Sequence, residues 1–246
     1  MELLTNKKTL LHACCGPCSL EPTRILSADG HDITIFYANS NIDPESEYEK
    51  RLATLCAWAE DEGIPVIEGP FDHDAWRQSV KLASSEHPGK REERCRACYR
   101  FRFAQTAAFA KEHGFTCISS TLSVSPYQYT DIIGEELERA GEEYDIEVDF
   151  RDFRPYYDEA TRRSRALGMY RQNYCGCEFS DKEAQTERAQ RKVERLRQRE
   201  RFLAEHASEI AEREREREEK RLKKDAYAAK QARKHELLKA FKDADC

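Results

Sequence analysis

Seven of the ten cysteines in this chain fall into three short groups: Cys14-Cys15 with Cys18, Cys95-x-x-Cys98, and Cys175-Gly176-Cys177. Thiols at this density usually hold a metal or exchange electrons. One short turn can aim two thiolates at one point, but groups separated by long stretches of chain meet only if the fold carries them together. The grouping therefore implies one assembled site rather than three local ones, and it restricts the chain to folds that can bring these loops to a common edge.

The hydrophobic pattern supplies such a fold. Residues 8–13 (KTLLHA) read as a short buried strand running straight into the first cysteines, and Pro17 suits the first turn of a helix over 17–27. Residues 33–38 (ITIFYA) are a second strand, β-branched and aromatic, followed by a turn-rich loop over 39–44. Over 45–62, Tyr48, Leu52, Leu55, Cys56 and Ala59 recur at helical spacing, and Gly63 closes that helix before a third strand at 64–68. Helices are expected over 76–83, over 98–113 with Phe101, Ala104, Ala107, Ala108 and Phe109 on the inner face, and over 127–140. Further strands are expected at 117–122 and 146–149. Strands alternating with helices predict an α/β fold: a parallel sheet with helices on both faces. Ligands in such sheets sit at the carboxyl ends of the strands. The first cysteines, the 39–44 loop and residues 121–127 all fall on that edge.

A chain of 246 residues suits one sizeable α/β domain with an appendage. No apolar run reaches about 18 residues, so no membrane span is expected, and residues 1–11 lack the apolar core and cleavage site of a secretory signal. The expected location is cytoplasmic, where structural disulfides are rare and clustered cysteines read as metal ligands or catalytic thiols. The net charge of −6 is uneven: residues 1–180 are acidic on balance and 181–246 basic. Two arginine patches stand out, Arg91, Arg94, Arg96, Arg100 and Arg102, then Arg162, Arg163, Arg165 and Arg171; each suits RNA contact or a solvated, ion-paired face. From residue 181 the chain has neither Gly nor Pro and only a thin apolar stripe of Val193, Leu196, Leu203 and Ile210. The expected division is thus an α/β domain over 1–180 and a long charged helical extension over 181–246, with a short coiled coil or RNA contact as options for the latter.

Several chemistries fit the thiols. Structural zinc takes four thiolates, often from two C-x-x-C pairs; Cys15/Cys18 and Cys95/Cys98 supply them but leave Cys14, Cys175 and Cys177 without a part. Cys15-Gly16-Pro17-Cys18 between a strand and a helix has the thioredoxin pattern, which has no use for the other groups. An iron–sulfur cluster takes four thiolates and accepts the adjacent Cys14 and Cys15 at different corners. Gly176 allows the tight turn that a strained, reducible Cys175/Cys177 pair requires. No glycine-rich nucleotide loop follows the first strand. Cys56 and Cys117 read as buried small residues on a helix and a strand, and Cys246 as incidental.

Taken in order, the motifs resemble those of the QueH family of epoxyqueuosine reductases. They are Leu11-His12-Ala13-Cys14-Cys15-Gly16-Pro17-Cys18; Asn39-Ser40-Asn41-Ile42-Asp43-Pro44 with Glu47-Tyr48 and Arg51; Arg94-Cys95-Arg96-Ala97-Cys98-Tyr99-Arg100; Ser120-Thr121-Leu122 with Ser125-Pro126; and Tyr170-Arg171-Gln172-Asn173-Tyr174-Cys175-Gly176-Cys177 with Ser180. The likeness covers roughly residues 8–180. Asn39-Ser40-Asn41 departs from the family, which more often has proline in the middle. The resemblance implies a HUP/PP-loop-like, Rossmann-like three-layer fold, used without ATP because the Ser-Gly-Gly pyrophosphate loop is missing. It implies reduction of epoxyqueuosine at the wobble position of tRNA to queuosine, with two electrons and two protons consumed and the epoxide oxygen leaving as water. It further implies a [4Fe-4S] cluster on Cys14, Cys15, Cys95 and Cys98, a second iron ion at Cys18, and a redox-active catalytic pair in Cys175 and Cys177. The implied partners are the tRNA anticodon loop and an unidentified electron donor. Candidate proton sources are His12, Asp43, Glu47 and Tyr127. Glu47, Tyr48 and Arg51 suit substrate positioning or, for Glu47 and Arg51, a plain i,i+4 pair; Tyr170 and Tyr174 suit stacking on anticodon bases or core packing. Two other classes stay open: a zinc-stapled α/β module that binds RNA, and a thiol oxidoreductase acting on proteins.

Overall fold

The first strand, β1 (Lys7–His12), carries the architecture because its side chains feed both faces of the sheet. Leu11 enters one core with Ile33, Ile35 and Tyr37 of β2 (His31–Tyr37), whereas Leu10 enters the other with Phe36 and Ile118. This two-residue alternation, apolar on both sides, is what a central parallel strand requires. A computed structural model describes residues 7–244. After β1 come α1 (Gly16–Ala28), β2, α2 (Glu45–Asp61), β3 (Val66–Glu68), α3 (His73–Glu86), α4 (Arg91–Glu112), β4 (Cys117–Ser120), α5 (Thr130–Tyr144), β5 (Glu147–Val148), α6 (Tyr157–Ala166), α7 (Glu178–Glu205) and α8 (Ala207–Ala244). The sheet order is β3-β2-β1-β4-β5, parallel throughout, with Leu10 opposite both Thr34 and Ile118. The strand order reverses at β1/β4, the switch point at which such sheets open a crevice.

Helices α1, α2 and α6 cover one face through Leu20, Leu26, Tyr48, Leu55, Trp58 and Ala160. Helices α4 and α5 cover the other through Tyr99, Phe103, Ala107, Ala110, Ile133 and Leu137. The result is the expected three-layer α/β arrangement. α1 starts tightly, with proline in its first turn; a Cβ on Gly16 would stand 2.7 Å from Met169 Cε and 3.3 Å from Thr54 Cγ2. A smaller cluster joins Trp76 and Val80 of α3 to Cys98 of α4, with Cys177 and Phe179 packed against it.

Several details differ from expectation. α4 starts at Arg91, so Cys95 and Cys98 both lie on the helix rather than at its mouth. Its buried face is Cys98, Tyr99, Arg102, Phe103, Thr106, Ala107 and Ala110, and only Ala107 belongs to the expected set. The inner face is turned from the expected one because a charged Arg102 and a polar Thr106 are interior here. Cys56 is exposed, not buried, while Cys117 is buried as expected. α6 carried no sequence signal, since only Ala160 and Ser164 of its ten residues are buried. β4 stops at Ser120 and a 3-10 turn over Leu122–Val124 follows.

The chain divides into two units, Met1–Ala184 and Gln185–Cys246. The first two turns of α7 belong to the first unit, tied by Glu178 to Arg77 and by Glu183 to Arg91 and Arg94. The second unit is helical, as the composition implied; Val193, Leu196 and Leu203 are exposed. The side chain of Ile210 and all of Cys246 lie outside the described residues. Among the described residues no helix is long and apolar enough to cross a membrane.

Candidate functional site

The site forms where β1 and β4 part. Ala13 N still bonds Phe36 O (2.9 Å), and Thr121 N bonds His12 O (3.0 Å); one residue further, Cys14 N donates to the Thr121 hydroxyl at 3.3 Å. The backbone then turns into α1 with Cys15 as its N-cap, which places Cys15 and Cys18 one turn apart on the same side. The ligand atoms of Cys14, Cys15 and Cys18 lie within 4.8 Å of one another, and among the described residues no other group of three His, Cys, Asp or Glu side chains does so. Cys14 and Cys15 Sγ are 3.8 Å apart. Cys18, expected to hold a second ion beside the cluster, lies within this group. Gln172 Nε2 reaches Cys15 Sγ at 2.8 Å. Hydrogen bonds from Cys14 and Cys18 hold the Cys15 thiol well below its ordinary range, while hydrogen bonding with Cys14 and Cys15 holds Cys18 well above it.

The other four thiols are pushed up chiefly by burial, and Cys95, Cys98 and Cys177 also by one another's neighbourhood: Cys95 by Cys175 and Cys98, Cys98 by Cys177, and Cys177 by Cys175. Cys175 is raised by burial and then by Cys98. Both Cys175 and Cys177 are free thiols in this structure. What links the three groups is Arg102. It is 1% exposed, and its charge favours the thiolates of Cys14, Cys98 and Cys175, one from each group. Its Nη2 donates to Asn39 Oδ1, whose own Nδ2 donates to Ala13 O at 2.9 Å. Its Nε is buried without a partner. Among the described residues no carboxylate pairs with it by hydrogen bond or ion pair.

A buried guanidinium without a carboxylate, set among thiols, fits a site that carries negative charge on sulfur. Soft thiolates select zinc, iron–sulfur clusters or cuprous copper, so the donor set fits a thiolate-bound metal centre.

The remaining candidates are distributed as follows. His12 is fully buried, its ring nitrogens 3.3 Å from Ser120 Oγ and from Ala38 O, edge-on to Phe103. Burial, then the Arg102 charge, lowers its pKa to about 3, so it is neutral. Glu47 accepts from Arg51 Nε (2.8 Å) and from Tyr170 OH (2.7 Å). Tyr174 donates to Asp43 O at 2.8 Å with its ring beneath the Arg51 guanidinium. Tyr127 is 56% exposed and edge-on to Tyr157. The arginine patches are largely ion-paired: Arg96 and Arg100 with Glu136, Arg91 and Arg94 with Glu183, Arg162 with Glu159, Arg163 with Glu21. Sequence reasoning missed Gln172 and Arg102 as site residues. Gln172 lies inside the motif of residues 170–177, and Arg102 belongs to the patch that suits RNA contact or a solvated face.

Fold and site together define a thiol-centred α/β protein with its chemistry at the sheet's switch point. The family model described as epoxyqueuosine reductase QueH matches residues 9–183, and the chain belongs to that family. The epoxyqueuosine reductase QueH of Histophilus somni is 35% identical over 179 residues, which cover 71% of this chain and 72% of its own. That of Dehalococcoides mccartyi is 32% identical over 176 residues, 72% of this chain and 93% of its own. That of Thermotoga maritima is 35% identical over 176 residues, 70% and 88% respectively. A solved structure titled as a subunit of a tRNA methyltransferase from Methanocaldococcus jannaschii is 13% identical, with a TM-score of 0.42 over 64% of this chain and 76% of that one, a likeness too loose to bear on function. The family match ends at residue 183, beside the boundary of the first unit at Ala184.

Proposed function

We propose that this chain reduces epoxyqueuosine in tRNA to queuosine, taking up two electrons and two protons as the epoxide oxygen leaves as water. Family membership carries the reading, since the matched span of residues 9–183 contains all three thiol groups. In this reading Cys14, Cys15, Cys95 and Cys98 hold a [4Fe-4S] cluster and Cys18 a second iron ion. When bound, such iron supplies one-electron transfer and, at an open position, Lewis-acid polarisation of an oxygen.

The chain's own groups have definable parts. Arg102 holds negative charge on the sulfurs, and Gln172 orients Cys15 through its 2.8 Å contact. His12, neutral at physiological pH, fixes the end of β1 through Ser120 and Ala38 rather than delivering a proton. Cys175 and Cys177 are the redox pair: as their S–S bond forms, two electrons and two protons leave, and the electron donor restores the thiols. The modified base enters splayed out of the anticodon loop, the way single-stranded RNA is commonly read, past the exposed rings of Tyr127 and Tyr170. A cytoplasmic location belongs to the same reading, because reducing conditions keep these thiols available.

Anaerobic purification followed by iron, sulfide and zinc analysis tests the cofactor, and incubation with epoxyqueuosine-bearing tRNA followed by nucleoside mass spectrometry tests the reaction. Conversion to queuosine is expected, with about four irons and four sulfides per chain for the cluster and about one iron more for the ion at Cys18. A second reading, a zinc-stapled RNA-binding module, is favoured by one distance. Thiolates about 2.3 Å from a tetrahedral zinc lie about 3.8 Å apart, and Cys14 and Cys15 Sγ are separated by 3.8 Å. Zinc without sulfide, and no conversion, would decide for that module.

A further inference from the structure

The segment bearing Cys175 and Cys177 is tied down at consecutive backbone groups, and one side chain stands at the centre of the ties. Arg51 is 1% exposed. Its Nη1 donates to Cys175 O at 2.8 Å, its Nη2 to Tyr174 O at 3.4 Å and its Nε to Glu47 Oε1 at 2.8 Å. The second oxygen of Glu47 accepts from Tyr170 OH at 2.7 Å, so a single i,i+4 pair on α2 grips the segment at both ends. The tip is equally constrained. Asp43 N donates to Gly176 O at 2.9 Å, Ser180 N to Cys177 O at 3.0 Å, and Gly176 N to Ser180 Oγ at 3.3 Å. Gly176 has φ +128, and a Cβ there would stand 2.9 Å from Arg51 Nη1, so the guanidinium lies directly against the turn.

All of these bonds belong to the dithiol, since both cysteines are free. A disulfide imposes its own geometry, with Cβ atoms about 3.8 Å apart and a torsion near 90°. We propose that Arg51 is a positioning residue for the Cys175–Cys177 pair, holding its loop in the dithiol form and so raising the pair's reduction potential. Closing the S–S bond turns the peptide groups beside Gly176 and detaches the Cys175 carbonyl from the guanidinium. A bond made in the dithiol and lost in the disulfide favours the dithiol. Taking it away therefore makes the pair easier to oxidise. The proposal rests on the redox-pair reading above, and its test separates the two.

The full chain, isolated anaerobically, is equilibrated with glutathione and glutathione disulfide at fixed ratios. In the exchange the glutathione S–S bond breaks, the protein S–S bond forms, and the two thiol protons pass to the two glutathione thiolates. Acid quenching, alkylation and mass spectrometry of the peptide containing both cysteines then give the dithiol fraction. Arg51→Met is expected to shift this equilibrium about tenfold towards the disulfide, the scale of one hydrogen bond to a charged group, or about 30 mV. Arg51→Lys, which keeps the charge and loses the fork, is expected to shift it less and in the same direction. If Arg51→Met does not fold, Arg51→Lys decides. An Arg51 with a merely structural role would lower the urea midpoint and leave the dithiol equilibrium where it was, which overturns the proposal and spares the redox pair. A wild-type chain that forms no Cys175–Cys177 disulfide at any poise overturns both.

Discussion

Replacing Arg102 by methionine removes a charge while keeping most of the volume, and the sign of the outcome depends on what the thiols carry. Arg102 is 1% exposed, its Nε has no partner, and its charge acts on Cys14, Cys98 and Cys175. Those three thiols all lie above their ordinary range, so with metal stripped at pH 7 they are protonated and leave the guanidinium without an anion. Under those conditions Arg102→Met is expected to be neutral or stabilising by about 1–4 kcal/mol, as for other buried charges exchanged for apolar groups. With metal bound the sulfurs are thiolates, and the same change breaks a buried charge pair at a cost of about 3–5 kcal/mol. Urea unfolding followed by tryptophan fluorescence, on wild type and variant, each as isolated without oxygen and after chelation under reductant, measures both differences. An effect of the same sign and size in the two forms would refute the assignment of Arg102 as the counter-cation of the thiol site.

Three further outcomes are expected. Burial pushes the Glu136 carboxyl up, but hydrogen bonds from Arg100 and Arg96 outweigh it and hold it below the usual range. A depressed acid stabilises the fold above its unfolded pKa and loses that contribution as pH falls through the folded one. Wild type should exceed Glu136→Gln by about 1–2 kcal/mol at pH 7, Arg100 being half exposed, and urea titrations at falling pH should show the gap closing below the ordinary carboxylate range. Phe103→Ala, at a fully buried position beneath His12, should cost about 3–5 kcal/mol in urea unfolding. A chain ending at residue 184 should keep the urea midpoint and thiol reactivity of the first unit. One ending at residue 177 should lose both, because Phe179 and the Glu178–Arg77 and Glu183–Arg94 pairs go with it.

The sheet was legible because its central strands are apolar towards both interiors: the 8–13 run matches β1 to within a residue at each end, and the 33–38 run matches β2 but starts two residues late, at the end of its polar opening His31 and Asp32. α4 was legible as a helix but not in its phase, since the residues that mark its inner face include an arginine whose burial depends on three thiol groups distant in sequence. α6 was invisible because it contributes one alanine and one serine to the interior. The gathering of Cys14, Cys15 and Cys18 could be read from spacing alone. The convergence of Cys98 and Cys175 upon the same cation could not, for it arises from the order of the strands and the path of residues 170–177. Cys56 misled because helical spacing cannot separate the edge of an apolar stripe from its middle.

β1 alternates its leucines between two separate interiors and reaches the first thiol two residues after its last paired position. A slip of one residue along its neighbours would exchange Leu10 with Leu11 and displace the Cys14 backbone by about 3.3 Å. The same packing that rejects that slip therefore fixes the register that brings the first sulfurs to the end of the sheet. Substitutions deep in either interior, far from any cysteine, should consequently be felt as altered thiol reactivity before they are felt as loss of fold.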